Sequence, residues 1–269
     1  MRSALAYEMT RIRTIRSTWW LSGMAVVVGV GISTLFSWAI SSDFHKHGVH
    51  QSDLNGLGAA VVTQLGASGG VPSIVGFLLA MIGIFAWGHE YRHGMIRASL
   101  TALNSRPSFW VAKYLVCAVW VLVVALVTML LSGLAGSIFL HSYVHVFQGL
   151  TWSIIGRELV YVVLLTWLAM AFTSLTRSQA FALVAIFLWP LLVESLFHVF
   201  FMLVPGLRDH TSILRFLPFE AGNQMINVLS HPASTFGDPL TALGGTIVFG
   251  GLAVVLMVGS FVLFGRRDA

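Results

Sequence analysis

The sequence predicts an all-α integral membrane protein with six transmembrane helices, and three features carry that expectation. Of the 269 residues, 57% are hydrophobic and only 9% charged, and the mean hydropathy of +0.86 lies well above that of soluble domains. Six windows, free of charge but for one glutamate in the fifth, have about the 20 apolar residues that an α-helix needs to cross a hydrocarbon core roughly 30 Å thick. Each window is continuously apolar, whereas the strands of a membrane barrel alternate over segments of about ten residues, so helices are favoured over a barrel.

In chain order the windows are Leu21–Ile40, Val71–Trp87, Tyr114–Leu140, Leu159–Leu175, Ala180–Val204 and Leu240–Phe264. Residues 1–18 precede the first and carry Arg2, Arg11, Arg13 and Arg16. At about 100° per residue, Leu5, Met9, Ile12 and Trp19 share a narrow arc with Ile15 beside it, the pattern of a helix lying in the membrane interface. Glu8 and Arg16 project into that stripe, so an ordinary basic flank of the first span competes with an interfacial elbow. Trp19 and Trp20 suit the headgroup boundary on either reading. No short apolar core with a small-residue cleavage site precedes them, and the first span is expected to act as its own insertion signal.

Orientation follows from the basic residues, which are retained on the cytoplasmic side. With both termini inside, the cytoplasmic segments hold Arg2, Arg11, Arg13, Arg16, Arg92, Arg97, Arg106, Lys113, Arg177, Arg266 and Arg267, and the outer ones Lys46, Arg157, Arg208 and Arg215. The net charge of +5 then reflects topology and attraction to anionic lipid, and no basic run interleaved with aromatics points to nucleic acid. Cys117 is the single cysteine, which excludes an intrachain disulfide and a cysteine-based metal site. The preference for Arg over Lys suggests a bacterium with a GC-rich genome, hence a bacterial plasma membrane.

The connection between the second and third windows gathers charge in an otherwise charge-poor chain: GHEYRHGMIRASLTALNSRPSFWVAK, Gly88 to Lys113. Its length marks it as functional or as carrying structure of its own. Ile96, Leu100 and Leu103 fall at helical spacing within Met95–Leu103, which predicts a short interfacial helix ending near Asn104. Pro107 suits the first turn of the next span. Anchoring of helix ends among phosphates explains Arg92, Arg97, Arg106 and Lys113 equally well, but not the short helix.

The fifth window is unusual in holding Pro190, Glu194 and His198 at successive i, i+4 positions, on one helical face in the outer half of the bilayer. An ionised carboxylate near the membrane centre costs on the order of 3 kcal/mol, so Glu194 must face protein or water, be partnered or stay protonated. It could line a substrate path or an interface between two copies and select a cationic or amphipathic substrate. Alternatively it forms a hydrogen-bonded pair with His198 in a span that ends early near Pro190. Residues 205–239 are too polar to cross fully but contain apolar patches such as Ile213–Phe219, leaving a plain outer loop and a partly inserted segment as the alternatives.

Two chemical motifs carry little weight. His45, His47, His50, His141 and His145 all fall on outer loops, where solvated histidines are far commoner than metal ligands, so no metal is expected. Gly66-Ala67-Ser68-Gly69 matches the Gly-x-Ser-Gly of rhomboid-like intramembrane proteases. The one histidine deep in a span is His198, and the glycine run reads more simply as the approach to the second span. No catalytic residues are assigned.

The Gly88–Lys113 run resembles the signature of type-2 ATP-binding-cassette export permeases: a Glu leaving the second span, a Gly soon after, a leucine-bearing helix, then Ser-Arg and a Lys entering the third span. Here those are Glu90, Gly94, Leu100, Leu103, Ser105, Arg106 and Lys113. Met95 stands where Thr is common, and Pro107 follows the Arg rather than preceding Ser-Arg. The likeness extends along the chain through the basic N-terminal segment, Leu217-Pro218 and the basic end Gly265-Arg266-Arg267-Asp268. It implies a single permease domain over residues 1–269, with an elbow (1–18), a coupling helix within 89–106 docking on a cytoplasmic ATPase, and a re-entrant outer region (205–239).

On that resemblance Glu90, Arg92, Gly94, Arg97, Leu100 and Arg106 couple to the ATPase, and Glu8, Arg11 and Arg13 of the elbow approach it. Pro190, Glu194 and His198 belong to the path or dimer interface, and Leu217, Pro218 and Phe219 form an outer gate. The chain has no phosphate-binding Gly-x-x-x-x-Gly-Lys-Ser/Thr loop, so ATP and magnesium would sit on a separate ATPase chain beside a second permease copy. The expected function is export of a hydrophobic or amphipathic substrate by alternating access. A membrane scaffold or sensor that recruits a protein through the same loop is the rival reading.

Overall fold

The computed structural model describes residues 1–49, 54, 56–66, 73–96, 106–227 and 239–266. Expectations concerning His50, Ser68 and its neighbours in the Gly-x-Ser-Gly run, Arg97, Leu100, Leu103, Ser105, Arg267 and Asp268 lie outside those residues. Every regular element among the described residues is helical. In order these are α1 (Arg2–Thr14), α2 (Arg16–His47), α3 (Leu57–Val62), α4 (Ile74–Arg92), α5 (Arg106–Leu140), α6 (Gly149–Thr176), α7 (Gln179–Leu188), α8 (Ser195–Leu203), α9 (Pro218–Ile226) and α10 (Ala242–Arg266). A π-helical turn, Trp189–Glu194, joins α7 to α8 as one continuous element, and a 3₁₀ segment, Pro205–Phe216, leads towards α9. Six helices, with α7–α8 counted as one, are long and apolar enough to cross a membrane.

The helix ends sort into two layers. Arg11 of α1 pairs with Glu90 near the end of α4, Lys113 of α5 pairs with Glu8 of α1, and Arg106 donates to the carbonyl of Gly265 in α10. Gly88 of α4 touches Gln179 of α7 closely enough that an added Cβ would sit 2.8 Å from its side chain. This is the basic end of the bundle. At the far end Ser33 donates to the carbonyl of Val61, Ser73 to Glu158, and the tyrosine hydroxyl of Tyr143 meets His45.

Two helices reach further than their charge-free windows. The third window began at Tyr114, but α5 starts at Arg106 because Lys113 is neutralised inside the bundle. The fourth began at Leu159, but α6 starts at Gly149 and carries Glu158 through its interior. A scan for absence of charge stops at a charge that the fold in fact buries with a partner. Helix α3 was not expected: its six residues are all buried in a stretch read as an outer loop, and they pack on α5 and α6. Such a run is too short to register as a span.

Small residues let α2 pack closely on α5. Ser22, Ala25, Gly29, Ser33 and Ser37 recur on the buried face of α2, and a Cβ on Gly29 would lie 2.5 Å from the Thr128 methyl of α5. Without a hydrophobic drive between helices in lipid, such small-residue faces supply the van der Waals contact that holds them. Helices α4, α5 and α6 form the core, while α2, α7–α8 and α10 are peripheral.

Candidate functional site: a buried four-charge cluster

Helix α1 ends at Ile15, whose extended ψ of 117° separates it from α2. The Trp19 indole donates to the carbonyl of Arg13 at 2.8 Å, satisfying one of the carbonyls that a helix end leaves open. That corner lays α1 across α5, with Ala4, Glu8 and Ile12 buried. Glu8 and Arg11, three residues apart, share this face and pair at 3.2 Å.

Across from them stand Glu90 of α4 and Lys113 of α5, both with 0% exposure. The Lys113 ammonium lies 2.9 Å from Glu8 Oε1 and 2.9 Å from Glu90 Oε1, and the Arg11 guanidinium 2.7 Å from the same Glu90 oxygen. Arg11 Nη2 also donates to the Ala86 carbonyl at 2.8 Å. The rings of Trp87 and Phe109 lie 5.1 and 4.6 Å from the Lys113 ammonium. Two cations against two anions make the cluster neutral, the condition under which buried charge is tolerated.

The chain leaves this cluster through a glycine-stopped helix end. Met95 N donates to Glu90 O at 3.0 Å and Gly94 N to Tyr91 O at 3.4 Å, with Gly94 at φ +62°. This is a Schellman arrangement, and the left-handed residue it requires explains a glycine at position 94. Ile96 is buried just beyond. The connection between α4 and α5 therefore starts three residues after one member of the cluster and ends eight residues before another.

The structure relocates several site residues expected from sequence. Glu90, Glu8 and Arg11 were expected at a docking rim; their side chains face one another inside the protein, because burial between α1, α4 and α5 demands counter-charge. Arg13 and Arg92 are exposed, and Arg106 reaches α10. Lys113 was read only as part of a motif and as a basic flank, yet it is the post on which both carboxylates converge. A lysine one turn inside a long apolar run was the available signal.

The second constellation is also rearranged. Pro190 lacks an N–H and falls in the π-helical turn, which widens the helix and removes the simple i, i+4 alignment. Glu194 alone turns inward, and its two oxygens accept from Phe219 N at 2.8 Å and Glu220 N at 3.0 Å. It caps the N-terminus of α9, where a carboxylate satisfies open amides and faces the positive end of the helix dipole. His198 Nδ1 bonds the Glu194 carbonyl at 2.7 Å, so the expected carboxylate–imidazole pair is a bond to backbone instead. Phe219 is buried between Phe77 and Phe249, while Leu217 and Pro218 stay half-exposed.

A fourth buried carboxylate went unnoticed in the sequence. Glu158 of α6 is buried, with one oxygen accepting from Ser73 Oγ at 2.6 Å and the other without a partner among the described residues. Among the described residues His45 meets Tyr143, His47 meets Asp43, and no group of three or more potential metal ligands occurs.

These features define an all-helical protein with six helices suited to crossing a membrane and a charge cluster tying three of them at one end. The chain matches no protein-family model and no curated protein, so any family likeness rests on its own residues.

Proposed function

We infer that the chain is the membrane subunit of an ATP-driven exporter of the type-2 ATP-binding-cassette kind, in a bacterial plasma membrane with both termini cytoplasmic. It moves a hydrophobic or amphipathic substrate, such as a drug, lipid or peptide, by alternating access. ATP and magnesium belong to a partner ATPase, and two permease copies share the path.

The observation that carries this reading is the four-charge cluster beneath the α4–α5 connection. A connection that only anchors helix ends needs no buried ties, whereas one that receives force must pass it on without slack. Glu90, Lys113, Glu8 and Arg11 link the connection rigidly to α4, α5 and α1, so a push from a docked ATPase displaces three helices together. Elbow, coupling helix and re-entrant gate are the roles this reading gives to α1, the 89–106 region and the 205–239 region.

The test is co-purification from native membrane with an ATPase assay on the complex. A Glu8→Gln/Lys113→Met double variant keeps the cluster neutral and the Arg11–Glu90 pair intact. The expected result is a folded complex whose transport-linked ATPase stimulation falls. Purification without a nucleotidase, or with one whose turnover the chain leaves unchanged, would overturn the exporter reading and favour a scaffold.

A further inference from the structure

Between the basic ends of α4 and α7 lies an open groove of about 440 Å³, in the size range of small-ligand sites. Tyr91 and Arg92 form one wall, and Arg177, Ser178 and Gln179, at the corner from α6 into α7, form the other. The carboxylates nearby in sequence and space, Glu8 and Glu90, are already consumed by Arg11 and Lys113. No ion pair to Arg92 or Arg177 occurs among the described residues, which leaves the groove electropositive.

The groove is more built than a fringe of anchoring arginines. Arg177 holds φ +53°, a left-handed cap position where Gly or Asn is usual, and its guanidinium sits 6.0 Å from the Tyr91 ring, across the groove. Ser178 Oγ accepts from Phe181 N, capping α7, whose positive end adds to the field of the arginines. Gln179 Oε1 is buried against α4, with no hydrogen-bond partner among the described residues. Gly88 permits the close approach of α4 that buries it, since any larger residue would meet the Gln179 side chain.

The lining turns apolar along α7. Leu183 belongs to the groove, and Phe181 and Val184 are exposed on the same helix. Two arginines and a helix N-terminus at the level of the helix ends, with an apolar wall running towards the middle of the bundle, match the profile of one phospholipid molecule. We propose that this groove binds an anionic phospholipid headgroup, its phosphate accepting from Arg92 and Arg177. The site is independent of the exporter reading, because it needs only a bilayer around the helix ends.

The test uses the full chain in nanodiscs and measures retention of phosphatidylglycerol against phosphatidylcholine by native mass spectrometry. Wild type should select phosphatidylglycerol. Arg92→Gln/Arg177→Gln should lose about five-fold in that selectivity per arginine, roughly twenty-five-fold in all, while Arg92→Lys/Arg177→Lys keeps most of it. Selectivity unchanged in the glutamine pair overturns the proposal, and if that pair also loses a co-purifying protein, the groove is a protein contact instead. Millimolar inorganic phosphate that displaces phosphatidylglycerol marks a free-phosphate site and equally overturns it. Should the glutamine pair fail to fold, wild type decides alone: selectivity must collapse at about 1 M NaCl, where the screening length is about 3 Å, and persistence there sinks the idea.

Discussion

The two ends of this bundle bury charge in opposite ways. At the basic end, Glu8 and Glu90 are each matched by a full cation, Lys113 serving both and Arg11 closing the ring. At the far end, Glu158 and Glu194 are buried without a cation among their hydrogen-bond partners. Glu158 relies on one hydroxyl and Glu194 on two backbone amides. Four mutually paired charges lock helices from three parts of the chain into one unit. Carboxylates held by neutral donors attach more local features, the start of α4 and the start of α9, and do so more weakly.

The contrast can be broken most directly at Lys113. Lys113→Met leaves two buried carboxylates facing one arginine and should cost about 3–5 kcal/mol, seen as a loss of monodisperse protein on heating in detergent. Adding Glu8→Gln should recover more than half of that loss, because neutrality returns. A single variant as stable as wild type would remove the cluster from any account of this fold.

Glu194→Gln should come next. One amide oxygen remains for two backbone donors and the dipole interaction is lost, a change of about 1–2 kcal/mol. It should appear as faster hydrogen exchange across α9 while α4 and α5 keep their protection. Uniform loosening of all helices would mean that the α9 cap is no more local than the cluster.

Glu158→Gln should change stability by under about 1 kcal/mol, since the amide oxygen still accepts from Ser73 and no counter-charge is stranded. Damage as large as that of Lys113→Met would erase the distinction between the two ends. Arg13→Ala supplies the smallest effect: its side chain is exposed and outside the cluster, and the melting profile should match wild type.

Much of the architecture was legible from run length alone, because a helix in lipid must satisfy its own backbone and clothe itself in apolar side chains. The same logic cut the windows for α5 and α6 short, at Lys113 and Glu158, which lie within apolar helices; for α5 the start was marked instead by Pro107 in its first turn. It also missed α3, whose six residues are buried by neighbours and not by length. Pro190 announced an irregularity in the fifth span, but its form, a π-helical turn that sends Glu194 to α9, depends on where the N-terminus of α9 lies. Gly94 and Gly88 were both visible in the sequence. A left-handed helix stop could be suspected at the first, whereas only Gln179, ninety-one positions beyond the second, gives Gly88 its reason.

By itself the sequence determined the helical class, the number of long apolar helices and the concentration of basic residues at one end, since each follows from composition along a contiguous stretch. The partners of the buried charges were decided only by tertiary structure. Glu8 and Lys113 are 105 residues apart, and a lysine one turn inside an apolar run signals burial without saying which carboxylates it holds. Burial removes the water that would otherwise solvate each charge, so the fold has to supply the matching charge, and only the packing of α1 against α4 and α5 brings it there.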